Sequence, residues 1–181
     1  MAAPSRPRFG KALKPNRDRK GSGLSASRFM GAQQKVVVLV GIAGSGKSTW
    51  AKQSVLSSDE IRRLLRDDET DQTIHRVVFK TLRDLLRRRL ELGMAVTYID
   101  ATNLTQRERR PYIKISLSYG CVAEAVFFDT PLEVCLERNR TRQRNVPPEV
   151  LRMMAAKLQI PSADEGFATV AVIAVDAGAL T

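Results

Sequence analysis

The sequence predicts an α/β domain, a three-layer sandwich with a parallel five-stranded sheet between helices, and two observations carry that expectation. From Lys35 onward short β-branched runs alternate with stretches of helical periodicity, the order that builds a parallel sheet because each crossover returns over one of its faces. The first of those runs leads directly into a glycine-rich segment, GIAGSGKST, at residues 41–49. A strand, a turn of this kind and a helix form a nucleotide-phosphate cradle.

Taken in order, residues 35–40 (KVVVLV) form a continuous apolar run, as expected of a strand covered on both faces. Further strands are predicted at Val55 to Ser57, Ala95 to Asp100, Val122 to Phe128 and Thr169 to Val175. Only seven residues separate Lys47 from Val55, so the first helix is expected to be short. Ser58 or Asp59 can cap the helix after the second strand. The clearest helix is predicted from Asp71 to Leu92, where Ile74, Val77, Val78, Leu82, Leu85, Leu86 and Leu90 recur at helical spacing and Gly93 supplies the stop. Arg83, Arg87, Arg88 and Arg89 fall on its other face, which reads as solvated. Thr105 with Glu108, and Thr130 with Glu133, have capping-box spacing. Pro131 fits the first position of the second of these helices, whereas Pro111 should kink the first. Pro147 and Pro148 open a last helix to about Gln159.

Composition bounds the class. The 181 residues suit one domain, with 43% hydrophobic and 27% charged residues as in ordinary globular chains. No apolar run is long enough for a membrane span or a secretory signal, so a soluble, cytoplasmic protein is expected. Cys121 and Cys135 lack metal-ligand spacing and are expected to be free thiols. The net charge is +11, and the segment before Lys35 holds eight Lys and Arg against the single acid Asp18. Residues 1–34 read as a basic disordered tail ahead of a domain at 35–181. Such a tail can draw polyanions, or serve as a solubilising or targeting extension.

The glycine-rich segment matches GxxxxGK[ST] at Gly41, Gly46, Lys47 and Ser48. Backbone N–H groups of the loop, including Ala43, Gly44, Ser45, Gly46 and Thr49, can point at the phosphates of ATP, with Lys47 bridging them and Ser48 taking a Mg²⁺ position. Three clusters follow at strand ends, which converge beside the ligand in such sheets. In SSDEIR, Asp59 can accept a hydroxyl proton and Arg62 can orient it or hold an acceptor phosphate. In DATN, Asp100 stands where a Walker-B-like acid supports Mg²⁺, while Thr102 and Asn103 can contact the acceptor or serve as turn residues. Arg138, Arg140, Arg142 and Arg144 recur at alternate positions, which suits an arginine-bearing lid over the triphosphate, an RNA-binding patch, or both. His75 and Trp50 read as structural.

The ordered set GIAGSGKSTWA, SSDEIR, DATNLTQRERR, FDTPLEVCLERNRTRQRNVPPEVL and EGF resembles the polynucleotide 5′-kinase domain of phage and bacterial end-healing enzymes over about Lys35 to Val175. The resemblance implies an adenylate-kinase-like P-loop fold with ATP as donor, Mg²⁺, and the 5′-hydroxyl end of a nucleic acid as acceptor. It also implies that Asp59 is the general base, that Arg62 contacts acceptor phosphate or positions that acid, and that Arg138 and Arg142 reach the ATP phosphates from the lid. Two other expectations compete with it: a P-loop kinase of a small metabolite, antibiotic or aminoacyl-tRNA, and a non-catalytic ATP-gated nucleic-acid-binding module.

Overall fold

A computed structural model describes residues 33–51, 53–142 and 145–174. The basic tail through residue 32, Gln143, Arg144 and the last expected strand residue, Val175, lie outside them. The elements are β1 (Lys35–Val40), α1 (Lys47–Trp50), β2 (Val55–Ser57), α2 (Ser58–Arg66), α3 (His75–Glu91), β3 (Val96–Asp100), α4 (Gln106–Ser118), β4 (Val122–Asp129), α5 (Leu132–Arg140), α6 (Pro148–Lys157), a 3₁₀ turn (Ala163–Glu165) and β5 (Thr169–Ala174). All strand pairs are parallel and the sheet order is β2-β3-β1-β4-β5. The chain therefore reverses its direction of winding beside β1, at the C-terminal ends of β1 and β3, where ligands of open α/β sheets bind.

Central position explains the run of valines in β1. Val36, Val38 and Val40 pack with Val78, Leu82, Leu86 and Leu90 of α3 and Tyr112, Ile113 and Ile115 of α4. The alternate residues Val37 and Leu39 point to the opposite face, with Ala51, Val126 and Phe128. Trp50 packs edge-on against Tyr98 and Phe128 on that face, at ring separations of 5.7 and 5.9 Å. Leu82 and Leu86 are fully buried, and truncating either to alanine costs about 2–5 kcal/mol. Cys121 and Cys135 are buried free thiols, as expected.

Several local expectations are corrected. The stripe buried by α3 is Val78, Leu82, Leu86 and Leu90, at intervals of four residues, while Val77 and Leu85 lie about 100° away and are exposed. The helix begins at His75 rather than Asp71, because Asp71 accepts from the Thr73 backbone N–H and hydroxyl and holds a turn instead. His75 is exposed at that start, with its ring 4.5 Å from Phe79. The Thr130–Glu133 capping box is not made: the Thr130 hydroxyl donates to Ser45 O at 3.1 Å, and Pro131 is the cap residue of α5 rather than its first residue. Ser57, not Ser58 or Asp59, caps α2 by accepting from the Asp59 and Glu60 N–H groups. The Thr105–Glu108 box is present, and Pro111 lies inside α4.

Candidate active site

The phosphate loop is held from three sides. Gly41 N–H donates to Thr102 O at 3.1 Å, and Thr130 at the end of β4 grips Ser45 O. Glycine is required at two positions for separate reasons. Gly44 has φ 86° and a Cβ there would stand 2.9 Å from Cys135 O, so a side chain would force α5 away; Gly46 caps α1 at φ 100°. Lys47 is buried, and its ammonium donates to Gly41 O and Ile42 O at 2.8 Å and to Ser45 Oγ at 3.3 Å. Burial pulls its pKa down to about 8, against the raising effect of Asp100. The loop thus folds its own carbonyls around a cation placed to receive phosphate oxygens.

Ser48, the next residue of α1, donates its hydroxyl to Asp100 Oδ2 at 2.7 Å. Asp100 is buried at the end of β3, and desolvation raises its pKa while the Ser48 bond and the Lys47 charge oppose the rise. Two hard oxygen donors adjacent to a phosphate cradle fit a Mg²⁺ ion, which keeps several waters and shares phosphate oxygens rather than needing an all-protein cage.

The short first crossover brings the acid of α2 to the same place. Residues 41–54 span from β1 past β3 to β2, and the register Ser57↔Asp100 sets the start of α2 beside the end of β3. Asp59 consequently lines one pocket with Lys47, Ser48, Asp100, Thr102 and Arg142. Arg62, one turn on, is buried and donates from its terminal nitrogen to Asp59 Oδ1 at 2.9 Å. Its Nε is buried without a partner. The Asp59 carboxylate is half-exposed, so a buried cation holds an accessible base from behind.

Thr102 opens onto the pocket, whereas the Asn103 amide turns into the sheet and donates to Leu39 O at 2.7 Å. Asn103 has φ 49°, a left-handed conformation that asparagine tolerates; its amide fixes the loop after β3, and the residue lines the neighbouring cavity rather than the phosphate pocket. In the lid, Arg138 reaches over Gly46, 3.9 Å from where a Cβ would sit, and Arg142 lines the pocket. Arg140 faces away and pairs with Glu137. The alternation of arginines therefore divides them: Arg138 and Arg142 stand beside the phosphate loop, and Arg140 does not.

Three supporting residues carry no distinct sequence signal. Asn139 is buried and ties the lid: it donates to Val146 O at 2.7 Å and accepts from Val146 N at 2.9 Å, a side-chain imitation of strand pairing. Arg109 is fully buried within α4. It forks onto Glu165 and also donates to Asn103 O, Leu104 O and Gln159 O, joining the loop after β3 to the segments after α6. Charged residues in RERR and DEG read as surface, and only the fold puts Arg109 and Glu165 against each other.

Residues 36–161 match the family described as an AAA domain. The bifunctional polynucleotide phosphatase/kinase of Schizosaccharomyces pombe is 24% identical over 144 residues, covering 76% of this chain and 33% of that protein. The L-seryl-tRNA(Sec) kinase of Homo sapiens is 42% identical over 60 residues, covering 33% of this chain and 17% of that protein. The chain thus spans a third or less of these relatives. A crystal structure of a proposed kinase from Chloroflexus aurantiacus superposes with a TM-score of 0.65 at 14% identity, covering 83% of this chain and 91% of that one, which makes the fold that of a P-loop kinase. Among the described residues no helix is long and apolar enough to cross a membrane.

Proposed function

Because the chain belongs to the AAA domain family, we propose that it is an ATP-dependent phosphotransferase acting on the 5′-hydroxyl end of RNA or DNA. The observation that carries the reading is Asp59 lining the phosphate pocket with Arg62 pinned behind it. A nucleotide-binding switch needs no such base on the acceptor side of the loop. Likeness to a polynucleotide phosphatase/kinase over 76% of the chain supports the choice of acceptor.

The geometry supports the following roles. The loop N–H groups and Lys47 cradle the β- and γ-phosphates. The acceptor hydroxyl oxygen forms a bond to the γ-phosphorus, the bond to the β,γ-bridging oxygen breaks, and ADP leaves. Asp59 accepts the hydroxyl proton, and Arg62 keeps the carboxylate aimed at it. Arg138 and Arg142 neutralise charge spreading over the transferred group and exclude water from it. Ser48 and Asp100 would hold Mg²⁺, which would offset the negative charge of the phosphates.

A second reading keeps this chemistry and changes the acceptor to a small molecule or an aminoacyl-tRNA. The 42% identity to a seryl-tRNA kinase over 60 residues favours it. Incubation with γ-labelled ATP and a panel of 5′-hydroxyl RNA, 5′-hydroxyl DNA, seryl-tRNA and small alcohols separates the two. Label on the oligonucleotides is expected, and label on seryl-tRNA or a small acceptor alone overturns the 5′-end assignment.

A further inference from the structure

Away from the nucleotide pocket, α3 and α4 form the walls of a groove of about 460 Å³ lined by Arg83, Arg87, Arg107, Arg110 and Lys114. Three α3 arginines have partners within the fold: Arg87, also in the groove, pairs with Asp84, Arg88 pairs with Glu91, and Arg89 donates to Thr97 Oγ1 and Val96 O. Arg83, Arg107, Arg110 and Lys114 make no ion pair among the described residues. Their charges face one another across two packed helices, a repulsive arrangement that a bound polyanion relieves.

The groove is continuous with the site. A cavity of about 1090 Å³ lies between them; it shares Thr102 with the phosphate pocket and Arg83, Arg107 and Pro111 with the groove. Arg107, Arg110 and Lys114 follow one another on the same face of α4 at spacings of three and four, so the row is about 10 Å long. A linear chain of regularly spaced phosphates matches a row of this kind, whereas a single small acceptor would leave it unused.

We propose that the α3–α4 groove binds the phosphodiester backbone of the single-stranded acceptor, the strand running from Asp59 past Thr102 and through the cavity onto Arg107, Arg110 and Lys114. This rests on the 5′-end reading, and it names the surface that would make the enzyme prefer a polynucleotide to a short acceptor. The contacts are electrostatic and independent of sequence.

The test is equilibrium binding of a 5′-hydroxyl single-stranded 20-mer to the full chain, followed by anisotropy across a salt series, for wild type and for Arg107→Ala/Arg110→Ala/Lys114→Ala. Three lost phosphate contacts should lower the magnitude of the log K against log salt slope by about 2 and weaken binding at least about tenfold at low salt. Fluorescent ATP analogue binding reports whether the variant is folded, and Arg83→Ala/Lys114→Ala reads the same quantities if the first variant is not. An unchanged slope and affinity overturn the proposal, as does a variant that loses binding to anionic phosphatidylserine vesicles but not to the 20-mer. Groove-dependent binding without transfer to any oligonucleotide would leave the groove standing and remove the 5′-end function. Transfer with groove-independent binding would do the reverse.

Discussion

The phosphate pocket and the α3–α4 groove are both rich in charge, and they treat it in opposite ways. In the pocket the central polar groups have partners within the fold: Lys47 has the loop carbonyls, Ser48 has Asp100, Arg62 has Asp59 and Ser45 O has Thr130. In the groove four cations have no ion-pair partner among the described residues. A preorganised pocket suits one small ligand of fixed shape, the triphosphate, and its parts are those of P-loop kinases generally. An uncompensated row suits a flexible polyanion, so it is in the groove rather than the loop that the identity of the acceptor should be sought.

Arg109 offers the largest break in that comparison, because it holds the wall the two regions share. Arg109→Ala leaves the Glu165 carboxylate buried without its cation, which costs about 3–5 kcal/mol. The melting temperature should fall by about 10 °C, and ATP and oligonucleotide binding should be lost together on heating. Arg142→Ala is expected to touch the pocket alone, lowering kcat by about 10²–10³ while 20-mer affinity stays unchanged. Asn139→Ala removes the lid tie between Asn139 and Val146. Steady-state kinetics should give a reduced kcat, and calorimetry a stability loss of about 1–3 kcal/mol.

The smallest effect is a proton. Lys47 has a folded pKa of about 8, below its ordinary 10.5, so the unfolded chain holds more protons between those values and the ligand-free protein gains stability as pH rises from about 8 to 10.5. Phosphate binding restores the charge. ATP binding at pH 8.5 should therefore take up a fraction of a proton, read by titration calorimetry in buffers of different ionisation enthalpy, and Lys47→Met should abolish that uptake.

How far the sequence discloses this arrangement depends on whether a feature is local. The five strands, the phosphate loop and the Thr105 cap are set by contiguous residues, and their positions are readable within a residue or two. Thr130 misleads because its spacing to Glu133 satisfies a local rule while a distant carbonyl, Ser45 O, claims the hydroxyl. Asn103 reads as a ligand residue because it follows Asp100 and Thr102, yet three backbone carbonyls lie within reach of its amide inside the sheet. Arg83, on a face that reads as solvated, becomes part of a site only because α4 brings Arg107 and Arg110 opposite it. Pairings between distant segments, such as Arg109 with Glu165, have no local signature at all.

The central claim is that one pocket joins a donor cradle to an acceptor base, and it is tested most directly by Asp59→Ala in two assays on the same preparation. Transfer of labelled phosphate to a 5′-hydroxyl oligonucleotide should fall by about 10²–10⁴ while ATP affinity changes by less than about twofold. Retention of wild-type transfer rates in this variant, with ATP bound as before, would contradict it.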